Sequence, residues 1–224
     1  MLQHTGERMI QEHYQSNLED HLIYLFHVAT YRFAAQYTNG KKVLDFGCGS
    51  GYGTVIVSPN CLSIVGVDIS TEAIYYAERN YTKPNLSFLQ VEDVSKNLLP
   101  FASESFDVVL SFQVLEHIRE ASSFFSEIVR VLTPGGILIL ATPDRKYRLF
   151  PFQRPWNIWH VHEYSASQLK KILEQYFIEV EIQKMGGKEE FIRTELHRIK
   201  RNKWLTLPFT LPITPEPLRR MDYD

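Results

Sequence analysis

A short apolar strand running directly into alternating glycines constrains this chain more than any other feature. Val43-Leu44-Asp45-Phe46 carries one acid among apolar residues, and Gly47, Gly49 and Gly51 follow at once. Such a stretch reads as a buried strand. Glycines at its carboxyl end let the backbone turn with positive φ and approach a ligand with no Cβ in the way. In an open α/β sheet the ligand crevice lies beyond the carboxyl ends of the strands, where the strand order reverses. A glycine-rich turn is also a tight strand-to-helix connection, so it does not decide by itself.

The rest of the chain alternates in the manner such a sheet needs. Leu18, Leu22, Leu25, Phe26, Ala29, Phe33 and Tyr37 recur at spacings of three and four, which predicts a helix over 17–38 stopped by Asn39-Gly40. Strands are predicted at 42–46, 62–68, 86–91, 106–111 and 137–141. Helices are predicted from about 50 to 57, after an N-cap at Ser70, over 122–132, and over 165–176 with Ser165 as N-cap. Ile178–Met185 alternates and predicts a sixth strand. Lys188–Trp204 predicts a helix with Ile192, Leu196 and Ile199 on one side and Arg193, Arg198, Lys200, Arg201 and Lys203 supplying positive charge. That charge suits a solvated face, a membrane or carrier-lipid surface, or a second subunit. The expected fold is a doubly wound, mostly parallel Rossmann-like α/β sheet with helices on both faces and an N-terminal helical extension. A seventh strand is not identifiable, unless it hides around Leu205–Leu211. The organisation expected is a lid-like helical segment over 1–39, a sheet domain over 40–187, and a basic helix with a proline-rich tail over 188–224, in one domain overall.

Two acids at the ends of later strands sharpen the glycine turn. Asp68 ends the second strand, 17 residues beyond Gly51. A carboxylate there can accept both hydroxyls of a ribose, and the bland alternative is a cap on the next helix. Asp93 follows the third strand and can accept from an adenine amino group, or else is a solvated loop acid. The Gly-x-Gly-x-Gly spacing departs from the Gly-x-Gly-x-x-Gly of dinucleotide sites.

A net charge of −2 removes the global attraction expected of a nucleic-acid binder. Cys48 and Cys61 are the only cysteines, too few for a disulfide framework. No apolar leader and no run of ~20 apolar residues is present, so the expected location is the cytoplasm.

The set VLDFGCGSG, VGVD, EDV, FDVVLSFQVLEHI and LTPGGILIL closely resembles the class I S-adenosylmethionine-dependent methyltransferases over roughly residues 40–185. The resemblance implies S-adenosyl-L-methionine as cofactor and S-adenosyl-L-homocysteine as product. It implies that Gly47 and Gly49, with Cys48 and Gly51 in the same loop, face the methionine part. Asp45 would support the loop and the amino group, Asp68 and Ile69 would meet the ribose end, and Asp93 with Val94 the adenine. Phe112 and Gln113 would lie beside the sulfonium. Cys48 reads as a packed small residue, not a nucleophile.

For the acceptor, His160, His162 and Glu163 lie in Trp156–Tyr164, an aromatic stretch after the fifth strand, and are the candidate base or acceptor-site residues. Either histidine could instead bond a backbone carbonyl. Glu116 and His117 could line the pocket or be structural. No second ligand cluster matches His160, His162 and Glu163, so no metal is expected. Thr5-Gly6-Glu7-Arg8, Tyr31-Arg32-Phe33-Ala34 and His160–Tyr164 also resemble bacterial methyltransferases that accompany glycosyltransferases. That implies a small-molecule acceptor, O-methylated on a sugar or similar metabolite. Tyr14 is a candidate lid residue. A homodimer is a possible partner, and nucleic acid is disfavoured. The competing reading is a non-catalytic module that binds the same cofactor.

Overall fold

The structure is a computed structural model and describes residues 18–211. Thr5–Arg8 and Tyr14 lie outside that range. The chain divides into two compact units, one of residues 18–115 with 120–141 and one of 116–119 with 142–211.

The first unit is a five-stranded parallel sheet in the order β3-β2-β1-β4-β5, from β1 (Lys42–Phe46), β2 (Ser63–Asp68), β3 (Leu86–Gln90), β4 (Phe106–Phe112) and β5 (Leu132–Ala141). β1 pairs β2 with Val43 opposite Ile64, and β4 with Val43 opposite Val108. β1 is buried from Val43 to Phe46, and β4 is buried at every position but Asp107. These two central strands are covered on both faces, which is why they read as continuous apolar runs. The strand order reverses between β1 and β4, so the crevice that the glycines imply opens at their carboxyl ends.

Helices α1 (Leu18–Ala34), α2 (Tyr52–Val57), α3 (Thr71–Asn80) and α4 (Ala121–Val131) flank the strands. Val28, Tyr31 and Ala34 of α1 join Val43, Tyr52, Val57, Ile64, Val108, Leu110 and Phe112 in one apolar cluster. Each such large apolar side chain contributes roughly 1.5–3 kcal/mol by leaving water. Ser70 caps α3, its side chain accepting from the Ala73 N–H. From α4, Glu127 accepts the Leu99 N–H at 2.6 Å, and Arg130 donates to the carbonyls of Phe101 and Leu99. The loop before β4 is thereby tied to the helix after it.

The second unit holds α5 (Arg145–Arg148), α6 (Ala166–Leu173), α7 (Glu189–Leu205) and α8 (Leu207–Thr210). Ser165 and Gln168 form a reciprocal capping box at α6. Buried Gln153 donates to the Lys203 carbonyl at 3.1 Å and to Thr210 Oγ1 at 2.9 Å, fastening the 150s to α7 and α8.

Two expectations are corrected. Residues 178–188 form no strand, and Ile178 is fully exposed. Alternation supplies one apolar face, but a strand also needs a partner edge, and β pairing depends on that context more than on local preference. Leu207–Thr210 is a short helix where a late strand was sought. Helix α7 forms where expected, yet buries no residue.

Candidate active site

The turn after β1 holds its glycines for two different reasons. Gly47 has φ +79°, and a Cβ there would fall 2.2 Å from Val114 Cγ2. At Gly51, φ is +82° and a Cβ would meet the Phe88 ring and Ala77. Gly49 has φ +54° with nothing within 4 Å of the same position. Gly47 and Gly51 therefore serve packing, and Gly49 leaves open space.

Asp45 is fully buried beneath this turn. It accepts from Thr54 Oγ1 at 2.6 Å and from the Tyr31 hydroxyl at 3.3 Å to each carboxylate oxygen. Burial lifts its pKa to about 7, against the opposing pull of those two donors. Burial and the nearby Asp45 also hold the Tyr31 hydroxyl well above its ordinary range. Thr54 is not among the residues the sequence points to, and Tyr31 enters only through the Tyr31–Ala34 motif, with no link to Asp45. Thr54 sits in α2, just beyond the glycines and nine residues after Asp45, with Ser50 and Tyr52 as nearer hydroxyls in the sequence. Tyr31 lies 14 residues before Asp45 on another element, and no local spacing points to it.

Cys48 is buried in a small cluster with Ile74, Ala77 and Phe88. Burial pushes its thiol well up, with Asp45 and Asp68 adding to the effect, so it is a packing residue.

Asp68 Oδ2 accepts the Gly49 N–H at 2.9 Å, and Oδ1 accepts the Ser70 N–H at 2.8 Å. The capping reading and the ligand reading are thus compatible, since each carboxylate oxygen has a second lone pair. Next to it Ile69 is 66% exposed. Asp93 is exposed, its carboxylate accepting from the Ser95 N–H at 2.9 Å, while Val94 is buried.

Phe112 ends β4 buried, edge-on to Tyr31 with centroids 4.8 Å apart. Gln113 follows in left-handed backbone with φ +57°, its N–H donating to the Ala141 carbonyl at 2.8 Å. A non-glycine residue held in that region is uncommon and concentrates at functional turns. Ser111 Oγ, one residue before Phe112, is buried with no partner among the described residues.

The second unit gathers the other candidates. His160 is buried, and its Nδ1 lies 2.7 Å from Glu163 Oε1. Glu163 is fully buried and also accepts from Arg148 Nε at 3.0 Å. Burial alone would raise the Glu163 carboxyl, but His160 and Arg148 together hold it below the usual carboxylate range. Arg148 in turn lies over the Trp156 ring, 4.1 Å from its centroid. His162 is exposed beside Tyr164, with ring centroids 4.3 Å apart. Partial burial and the Arg145 charge hold its pKa below that of an ordinary histidine. Glu116 and His117 come from the turn after β4. Burial raises the Glu116 carboxyl despite the charges of His160 and His117. The rings of His117 and His160 meet edge to face at 4.9 Å.

Comparison with known proteins bears on this geometry. A methyltransferase-domain family model matches residues 44–140. A protein of Mycolicibacterium smegmatis, named a probable S-adenosylmethionine-dependent methyltransferase, is 31% identical over 79% of this chain and 65% of its own length. A ubiquinone biosynthesis O-methyltransferase of Actinobacillus pleuropneumoniae is 30% identical over 50% of this chain and 49% of its own. The solved structure of the cyclase SpnF superposes with a TM-score of 0.56 at 27% identity, covering 66% of this chain and 57% of that one. The chain spans about half to two thirds of the length of the curated relatives it matches. No helix among the described residues is long and apolar enough to cross a membrane. The matched span runs from the strand beneath the glycine turn to the last strand of the sheet, and over it the chain carries a methyltransferase domain similar to those of the S-adenosylmethionine-dependent methyltransferases.

Proposed function

We propose that this chain moves the sulfonium methyl group of S-adenosylmethionine to a hydroxyl oxygen of a small molecule, a sugar or related metabolite, leaving S-adenosylhomocysteine. The observation that carries the cofactor half is the pairing of Gly49 with Asp68. The open space at Gly49 is where a side chain would obstruct a ligand, and the Asp68 carboxylate is pinned beside it with lone pairs to spare. Exposed Ile69 offers the nucleoside an apolar surface, and the unpartnered Ser111 hydroxyl is a further polar group in need of a partner. These residues fit an adenosine with an amino-acid tail. On this reading Asp68 takes the ribose, Asp93 and Val94 the adenine, and the loop Gly47–Gly51 the methionine part, with Asp45 bracing that loop from below. Phe112 and Gln113 border the sulfonium.

The cofactor supplies an already activated methyl group. What the protein adds is positioning, which can account for on the order of 7–11 kcal/mol of barrier. We assign the acceptor's proton to His162. Its lowered pKa keeps the ring neutral near pH 7, the state a base requires. His160 and Glu163 are a buried, mutually oriented pair and serve as acceptor-site scaffolding. A hydroxyl acceptor is supported by the O-methyltransferase name of one relative. A cytoplasmic location and a homodimer remain part of the same proposal, the latter tested by sedimentation.

The test is a panel of sugars, phenols and other hydroxylated metabolites incubated with methyl-labelled S-adenosylmethionine. Label transfer to oxygen with stoichiometric S-adenosylhomocysteine is expected. The likeness to a cyclase favours one second reading, a cofactor-binding chain with no methyl transfer. S-adenosylhomocysteine binding with no transfer to any acceptor class would support it. Stabilisation by NAD and not by S-adenosylhomocysteine would overturn both.

A further inference from the structure

Glu116 has one carboxylate oxygen, Oε1, that is buried with no hydrogen-bond partner among the described residues, while Oε2 accepts from Thr142 at 2.9 Å. An unmatched carboxylate oxygen on a fully buried side chain is costly. Two imidazoles stand near this carboxylate. One oxygen of Glu116 and one ring nitrogen each of His117 and His160 lie within 4.8 Å of one another.

The tautomers follow from the partners. His160 Nδ1 faces a carboxylate oxygen of Glu163 at 2.7 Å, and His117 Nδ1 faces the Trp159 carbonyl at 2.9 Å. Both partners only accept, so both Nδ1 atoms carry the proton. In a neutral ring the lone pair then sits on Nε2. This is the arrangement of metal-binding histidines, whose other N–H is held by a carboxylate or a backbone carbonyl. The Nδ1 atom of each ring is thus taken by a partner other than Glu116.

We propose that Glu116, His117 and His160 bind one first-row divalent transition-metal ion, with Glu163 and the Trp159 carbonyl orienting the two rings. Two imidazoles and one carboxylate suit zinc or its neighbours better than magnesium or calcium. Metal–ligand distances near 2 Å place ligand atoms about 3.3 Å apart, so the three groups close by up to about 1.5 Å on binding. Three protein ligands leave a further position for an oxygen. The metal site does not rest on the methyl-transfer reading above.

The test uses the full chain without a histidine tag, stripped with a chelator and titrated with Zn²⁺ against a chromophoric competitor. One Zn²⁺ per chain is expected. Glu116→Gln and His117→Gln should each weaken it at least tenfold, and His197→Ala, on exposed α7, should leave it unchanged. Co²⁺ should give visible bands without thiolate charge transfer, which excludes Cys48 and Cys61 as ligands. S-adenosylhomocysteine affinity and the thermal melt are measured on the same samples. Normal S-adenosylhomocysteine binding with no Zn²⁺ bound, or with equal Zn²⁺ affinity in both variants, overturns the site while leaving the methyltransferase reading intact. If Glu116→Gln melts early, the partly exposed His117 still gives the answer.

Discussion

Thr54 Oγ1, in α2, donates a 2.6 Å hydrogen bond to Oδ2 of Asp45, in the middle of the sheet. With the Tyr31 hydroxyl it gives a fully buried acid both of its side-chain donors among the described residues. Thr54→Val keeps the shape and deletes the shorter bond. Urea unfolding should show a loss of about 1–3 kcal/mol, because the acid is left partly unsatisfied in the core. A loss within error would mean that Asp45 is served by other groups.

The same acid sets a pH dependence. Its folded pKa of about 7 stands above the 3.8 of an ordinary aspartate. Below pH 4 both states hold the proton and this contribution is fully present. Between about 4 and 7 the unfolded chain releases the proton while the folded chain keeps it, so stability falls as pH rises, by on the order of 4 kcal/mol across the window. Asp45→Asn should flatten that part of the profile. A profile of the same slope in the variant would assign the titration to another group.

Removing the Asp68 carboxylate should weaken S-adenosylhomocysteine binding by tenfold or more for each ribose hydrogen bond lost, at roughly 1.5–3 kcal/mol per bond to a charged group. Asp68→Ala also strips the acceptor from the Gly49 and Ser70 N–H groups, so its melting temperature should drop as well. Calorimetry on Asp68→Asn separates the two effects. An unchanged dissociation constant in both variants would remove Asp68 from the cofactor site.

Two glycines should fail in opposite ways. Gly53→Ala places a methyl 2.0 Å from the Tyr31 ring, so it should unfold easily while showing no specific defect in cofactor affinity once folded. Gly49→Ala meets nothing among the described residues. Its cost in stability is limited to the left-handed backbone, about 1 kcal/mol, and its main effect should fall on S-adenosylhomocysteine binding. Melting curves and calorimetry on the pair decide it, and a Gly49→Ala chain with native affinity would show that the open space is not used.

His162→Ala should lower turnover with little change in cofactor affinity and should abolish the acidic limb of the pH–rate profile. That limb should lie below an ordinary histidine's range, since burial and Arg145 hold the ring neutral. Native turnover in the variant would exclude it as the base.

The legible part of the molecule is the part whose information is local. β1, β2, β3 and β4, the Ser70 and Ser165 caps, and the glycine turn all announce themselves within a few residues. Asp68 was readable because a strand end fixes where its carboxylate must lie. Tyr31 was not, because its partner Asp45 is reached through tertiary packing of α1 on the sheet. Ile178–Met185 misled for the converse reason, since its alternation is local and the pairing it lacks is not. Glu116, His117 and His160 sit in two segments over 40 residues apart, and only the fold shows that they converge.

Tyr31 has one further consequence. Its hydroxyl serves Asp45, its ring caps Gly53 and leans on Phe112, and all of this comes from outside the span 44–140 that the family model matches. A fragment cut to the matched span would lose a donor to its buried acid, open a pit over α2 and strip one side of the sheet. Homology boundaries mark what evolution has kept alike. Here they do not mark what can fold alone, and an expression fragment should start upstream of α1.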